Sequence, residues 1–146
     1  MDILLEITRN EIVVAAFMAW LIAQVIKVIL VLLKDRRWDL SRMFGSGGMP
    51  SSHSALVVAM ATAVGRLEGF SSTAFAIAAA LAVIVMYDAA NVRRAAGQQA
   101  ELLNRIAEDF YRDKHIDGEK LKELLGHTPI EVAAGAVLGV LVGWYL

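Results

Sequence analysis

Two of the three histidines in this chain stand where a proline-marked sequence leads into an apolar segment. Residues 47–55 read GGMPSSHSA and contain His53, and residues 126–132 read GHTPIEV and contain His127. The first N–H groups of a helix lack intrahelical partners and lie at the positive end of the helix dipole, so such a position binds anions. Two histidines in this setting predict one shared site that acts on a phosphoryl group.

His127 and Glu131 are four residues apart, so a helix that begins here brings their side chains together. A carboxylate can hold an imidazole in one tautomer and stabilise its cation, which a nucleophilic or basic histidine requires. Residues 128–131 also read as a capping box with proline at the first helical position. Capping alone is therefore the alternative role for Glu131.

His53 follows two serines, Ser51 and Ser52. Their hydroxyls and the nearby N–H groups would cradle phosphate oxygens, while the imidazole protonates a leaving alkoxide. The alternative is a helix-capping serine beside a histidine at the membrane interface.

Lysines and arginines near these motifs are candidates for binding the phosphate. Lys27 has apolar sequence on both sides, and Lys34 lies two turns later on the same helical face. Snorkelling to the interface explains Lys34 but explains Lys27 less well, so Lys27 is predicted to face the phosphate. Arg93 and Arg94 end the third apolar segment, and an arginine fork matches phosphate oxygens. A solvated charged face is the alternative for these arginines.

A metal ion is the alternative to a cofactor-free site. Asp88 directly follows an apolar run, where an ionisable group is a functional hypothesis by default. Mg²⁺ prefers hard oxygen ligands, and four residues offer them: Asp88, Asn91, Asn104 and Glu131. We expect no cofactor, with Mg²⁺ as the alternative. The chain has no cysteine, which excludes disulfides and thiolate metal sites.

The elements that must position these residues are apolar helices. The chain has 146 residues, is 58% hydrophobic and has a net charge of −1, which gives no case for a nucleic acid partner. We predict a single membrane domain over residues 1–146, an all-α integral membrane bundle, with a soluble helical bundle as the alternative. A spanning helix needs roughly 20 residues. The predicted spans cover about 10–34, 51–67, 72–96 and 128–146, and an amphipathic arm covers about 97–126.

The basic residues predict the orientation of the bundle in the plasma membrane. Eleven of the fourteen Lys and Arg residues lie in the two long loops that carry the histidine motifs. By the positive-inside rule these loops, the arm and the site face the cytoplasm, and both termini face outward. On the last helix Gly135, Gly139 and Gly143 form a small-residue face, predicted to pack within the bundle or to form a homodimer.

These motifs together resemble the divergent PAP2 family, small membrane proteins related to type 2 phosphatidic acid phosphatases and vanadium haloperoxidases. The resemblance rests on residues 47–55 and 126–132 together with YDA at 87–89, VRR at 92–94 and LN at 103–104. It implies that one histidine attacks phosphorus, an acid orients it, a second histidine protonates the leaving group, and lysine and arginines hold the phosphate.

By motif, the resemblance makes His127 the nucleophile, Glu131 the orienting acid and His53 the general acid, with Lys27 or Lys34 as the lysine. The chain departs from the superfamily pattern in four places. Ser52 replaces a glycine, Glu131 replaces an aspartate, the Lys-x6-Arg-Pro element is absent, and Leu121 stands where an arginine precedes the nucleophile. Arg93 or Arg94 is expected to supply the missing arginine.

The expected function is that of a membrane phosphatase that hydrolyses a phosphomonoester or pyrophosphate from a lipid. The alternatives are a non-enzymatic lipid-phosphate binder or transporter that keeps the site architecture, and a structural membrane scaffold. The sequence leaves phosphatidate, phosphatidylglycerophosphate and prenyl pyrophosphates open as substrates.

Overall fold

The computed structural model describes residues 3–35, 48–111 and 127–146, which form helices and no strand. This confirms the predicted all-α fold class. The elements in chain order are α1 (Ile3–Arg9), α2 (Glu11–Asp35), α3 (Ser52–Glu68), α4 (Thr73–Tyr87), a π-helical segment (Asp88–Val92), α5 (Arg93–Tyr111) and α6 (Pro129–Tyr145).

Helix α3 is the centre of the bundle and packs against α2, α4 and α6. Its buried side chains are mostly alanine and valine, which allow neighbouring backbones to approach closely. One core cluster joins Ala19 and Ala23 of α2 to Ala55 and Ala59 of α3 and to Val142 of α6. The small side chains of the central helix therefore let its neighbours pack closely against it.

The helices alternate in direction, so both histidine motifs lie at one end of the bundle. At the opposite end, Arg66 near the end of α3 pairs with Glu11 at the start of α2, with 3.4 Å between Nη2 and Oε2. At that end too, Phe70 stacks on Trp144 of α6 with ring centroids 6.5 Å apart. The start of α2 and the end of α6 are thus on the side away from the histidines.

Two helical stretches, Glu11–Leu33 and Thr73–Ala107, are long and apolar enough to cross a membrane, and α6 is apolar but shorter. Large apolar side chains on their outer faces, among them Phe17, Ile29 and Ile84, are exposed. Lipid is the environment in which such faces are stable. Length and composition thus make these two stretches candidate spans, and the four-span arrangement stays a prediction.

The predicted boundary between the third span and the arm is not a break in the helix. Helix α4 runs through the π-helical segment directly into α5. Residues 97–111 of the predicted arm belong to α5, and residues 112–126 lie outside the described part. Before α2, the short helix α1 ends at Arg9. The next residue, Asn10, accepts hydrogen bonds at its Oδ1 from the N–H groups of Ile12 and Val13 at 3.0 and 3.2 Å.

The glycine face of α6 packs inside the bundle. An added Cβ would lie 2.3 Å from the Ser51 carbonyl oxygen at Gly135, 2.7 Å from that of Ala55 at Gly139 and 2.5 Å from that of Ala59 at Gly143. The expectation of packing within the bundle therefore holds. Helix α3 occupies this face within the chain, and the homodimer stays a prediction.

Candidate functional site

The π-helical segment that follows α4 contacts the backbone just before α6. The backbone N–H of His127 donates to the carbonyl of Ala89 at 3.1 Å. A π-helical turn interrupts the α-helical hydrogen-bond pattern, and such segments recur at functional sites. The His127 side chain is buried, with 2% of the residue exposed. Backbone and ring are therefore both held in place.

His127 and Glu131 form the predicted pair, with 3.2 Å between Nδ1 and Oε2. The same Oε2 accepts the Thr128 N–H at 2.9 Å, and the Glu131 N–H donates to Thr128 Oγ1 at 3.3 Å. The capping box and the histidine pairing thus coexist on one carboxylate. An ionised carboxylate only accepts, so a neutral His127 ring paired with it carries its proton on Nδ1 and its lone pair on Nε2.

The two histidine motifs meet in one place. Ser51 is the N-cap of α3, and its N–H donates to the carbonyl of Glu131 in the first turn of α6 at 2.9 Å. This contact brings the beginnings of α3 and α6 together. The rings of His53 and His127 lie 6.2 Å apart between centroids, tilted by 64°. The two histidine rings therefore lie side by side at one end of the bundle.

The two serines before His53 have different partners. Ser51 Oγ accepts hydrogen bonds from the Ser54 N–H at 3.3 Å and from the Ser54 hydroxyl at 3.0 Å, and both residues are fully buried. The Ser51 side chain therefore has the capping role that was the alternative interpretation, so its predicted direct contact with phosphate finds no support. Ser52 Oγ instead faces the site and accepts a hydrogen bond from Lys27 Nζ at 3.1 Å.

Lys27 brings α2 into the site. Only 3% of the residue is exposed, and the Glu131 carboxylate interacts with it electrostatically. The backbone of Gly48, which has a positive φ of 87°, runs beside its methylene groups. The backbone of Lys34 lies ~10 Å from that of Lys27 along the axis of the same helix. The Lys34 side chain lies outside the described part. The structure therefore favours Lys27 over Lys34 as the lysine of the site.

The remaining predicted residues lie on the π-helical segment and on α5. Arg93 and Arg94 begin α5, but their side chains lie outside the described part, so their role stays a prediction. Asn91 is exposed and donates to the Tyr87 carbonyl at 3.3 Å. Asp88 is half-buried in the π-helical segment, and Asn104 is buried on α5. Within residues 3–35, 48–111 and 127–146, no three His, Cys, Asp or Glu residues cluster as metal ligands.

Sequence reasoning missed contributions made by the backbone. The carbonyl of Ala89 and the N–H of Ser51 hold the two motifs, and neither contact has a signature in side-chain type. Gln24 is a further buried polar residue, one turn before Lys27 on α2. A polar residue inside an apolar segment is a signal that the sequence did offer for Gln24.

Comparisons with known proteins found a family model and a relative that match most of this chain. A family model described as the divergent PAP2 family matches residues 8–142, a range that contains every candidate residue. The chain is also 43% identical to the uncharacterized membrane protein YuiD of Bacillus subtilis (strain 168) over 149 aligned positions, covering 94% of each chain. No solved structure matches.

Proposed function

The chain is a membrane protein of the divergent PAP2 family, and on that premise we propose that it is a phosphatase that hydrolyses a phosphomonoester or pyrophosphate of a lipid. The observation that carries the proposal is the 3.2 Å contact between His127 Nδ1 and the Glu131 carboxylate. This contact orients the ring and supports positive charge on it, as a phosphorus-attacking histidine requires.

In the proposed first step, Nε2 of His127 attacks phosphorus while the bond from phosphorus to the leaving oxygen breaks. His53, in its protonated form, gives its proton to that oxygen and becomes neutral. Glu131 stabilises the charge that develops on the His127 ring. The products are the dephosphorylated lipid, or a lipid monophosphate from a pyrophosphate, and a phosphohistidine.

In the second step, water attacks the phosphohistidine. The neutral His53 takes a proton from this water, the nitrogen–phosphorus bond breaks, and inorganic phosphate leaves. The ring of His127 recovers its lone pair on Nε2, with Nδ1 still held by Glu131. The cycle therefore returns both histidines to their starting protonation states without a redox partner.

Lys27 is the group that offsets the charge on the phosphate. Its ammonium contacts the Ser52 hydroxyl, at the beginning of α3. The N–H groups at that helix end add to the positive potential. Arg93 or Arg94 is proposed to complete the binding of the phosphate oxygens.

A phosphate-release screen tests the proposal. Purified protein in detergent would be supplied with phosphatidate, phosphatidylglycerophosphate or a prenyl pyrophosphate, in EDTA or in Mg²⁺. Release in EDTA that exceeds release by the His127→Ala variant supports the proposal. Strict dependence on Mg²⁺ would instead favour the oxygen-ligand alternative with Asp88, Asn104 and Glu131. Tight lipid-phosphate binding without release would favour the non-enzymatic binder or transporter.

The proposed role of His53 predicts a dependence on the leaving group. His53→Ala should slow release from a lipid phosphate by about 10²- to 10⁴-fold, the usual contribution of a general acid. An aryl phosphate has a leaving group that needs little protonation, so its turnover should fall far less. His127→Ala is the matched control because it should fail on both substrates. Equal losses by His53→Ala on the two substrates would contradict the acid role.

The proposed cytoplasmic position of the site predicts a labelling pattern. The chain has no cysteine, and Ser71 between α3 and α4 and Gln99 on α5 are both exposed. An impermeant maleimide should label Ser71→Cys in intact cells and Gln99→Cys only after the membrane is opened. The reverse pattern would place the site outside and move the substrate to the outer leaflet.

A further inference from the structure

The beginnings of α3 and α6 meet backbone to backbone beside the histidines. The Ser51 N–H donates to the Glu131 carbonyl at 2.9 Å. One turn further along α6, a Cβ added at Gly135 would lie 2.3 Å from the Ser51 carbonyl oxygen and 2.9 Å from the Ser54 Cβ. Real Cβ atoms do not come this close to a backbone oxygen, so the peptide of Ser51 lies where only a glycine at 135 leaves room.

We infer that Gly135 is a positioning residue that sets the separation between His53 and His127. His53 is two residues after Ser51, and His127 is four residues before Glu131. The Ser51–Glu131 hydrogen bond therefore joins the two backbone segments that carry the rings. A side chain at 135 would push the two helix ends apart and stretch the Ser51–Glu131 hydrogen bond. The catalytic consequence rests on the proposed function, whereas the effect on the rings does not.

Gly139 and Gly143 provide matched comparisons on the same face. Added Cβ atoms there would lie 2.7 Å from the Ala55 oxygen and 2.5 Å from the Ala59 oxygen, an overlap similar to that at Gly135. They are ~6 Å and ~12 Å further from the site along the helix axis. Alanine at these positions would open the far part of the α3–α6 contact, while the histidine end stays closed.

The test compares Gly135→Ala, Gly139→Ala and Gly143→Ala. Phosphate release by Gly135→Ala should show a fall in kcat of about 100-fold, the effect of displacing a reacting group by about 1 Å. The KM should change far less, and the other two variants should keep a kcat near that of the parent protein. Similar losses in all three variants would reduce Gly135 to ordinary helix packing and overturn the inference.

A second measurement does not depend on turnover. NMR of the full chain in detergent, labelled at histidine, reports the ring signals of His53, His115 and His127. Gly135→Ala should shift the signals of His53 and His127, and Gly139→Ala should leave them in place. If the proposed function fails because no protein releases phosphate, this comparison still decides the inference. Unchanged ring signals in Gly135→Ala would overturn it.

A pair of substitutions at Ser51 applies if Gly135→Ala does not fold. Ser51 has a φ of −66°, which proline adopts without strain. Ser51→Pro removes both the capping hydroxyl and the N–H that contacts Glu131, whereas Ser51→Ala removes only the hydroxyl. The ring signals should therefore shift more in Ser51→Pro than in Ser51→Ala. Identical spectra for the two variants would show that this backbone contact does not position the histidines.

Discussion

Replacing His127 by alanine should abolish phosphate release while the bundle stays folded. Loss of a residue that forms the covalent intermediate lowers kcat by about 10⁴-fold or more. Folding should survive because the backbone N–H of His127 still reaches the Ala89 carbonyl and the Glu131 carboxylate still caps α6 through Thr128. The measurement is phosphate release by variant and parent protein, with size-exclusion chromatography and circular dichroism to confirm the fold.

His115→Ala is the matched control, because His115 belongs to neither motif and lies outside the described residues. It should release phosphate at the parent rate. A phosphorylated intermediate, trapped by a rapid alkaline quench of a labelled substrate, should form in His115→Ala and be absent in His127→Ala. Parent-level turnover by His127→Ala would remove the histidine from the mechanism and return the chain to the binder or transporter alternative.

The contacts inside each motif could be predicted from the sequence because they are local. The spacing of His127 and Glu131 fixes their proximity as soon as α6 begins at Pro129, and the capping box fixes that start. The helical fold class could also be predicted, because the length of each apolar segment is a local property of the sequence. Neither step requires knowledge of how the helices are arranged.

The contacts between motifs depend on the tertiary arrangement, and the sequence left them open. Lys27 and Lys34 share a helical face, so only the packing of α2 on α3 brings Lys27 to Ser52. The continuity of α4 with α5 was missed because the change from apolar to polar residues reads as a boundary, although the backbone continues through Asp88–Val92. The sequence predicts phosphate binding by the Ser51 hydroxyl because a helix-capping serine and a phosphate-binding serine have the same sequence signature.

Glutamate at position 131 follows from the two tasks of this carboxylate. As the third residue of α6, it folds back to accept the Thr128 N–H, and the same Oε2 accepts from His127 Nδ1. A capping box prefers glutamate or glutamine at this position because the side chain has to span a full turn. In the proposed mechanism, one carboxylate therefore both orients the His127 ring and caps the helix.

Lys27 has a buried ammonium, and its replacement should have different effects if its role is to bind phosphate or to stabilise the fold. A charge with 3% of its residue exposed in an apolar helix is costly, and the Ser52 hydroxyl and the Glu131 carboxylate offset only part of that cost. Replacing Lys27 with an apolar side chain of similar volume removes that cost, while the Glu131 carboxylate keeps its contacts with the Thr128 N–H and His127 Nδ1. If Lys27 only stabilises the fold, its loss should destabilise the bundle. If Lys27 binds phosphate, its loss should weaken phosphate binding without destabilising the bundle.

Lys27→Met should therefore lose affinity for vanadate, a phosphate mimic, while its thermal unfolding in detergent is unchanged or occurs at higher temperature. Losing one buried charge-assisted contact typically costs about 2–5 kcal/mol, which corresponds to a fall in affinity of about 30- to 4,000-fold.

Ser52→Ala is the matched control, because it removes the hydroxyl partner of Lys27 but keeps the charge and should weaken vanadate binding far less. Vanadate binding, read by vanadium NMR, does not require turnover and applies to variants that release no phosphate. Parent-level affinity in Lys27→Met, together with a lower unfolding temperature, would make Lys27 a structural residue and transfer the search for the phosphate-binding cation to Arg93 and Arg94.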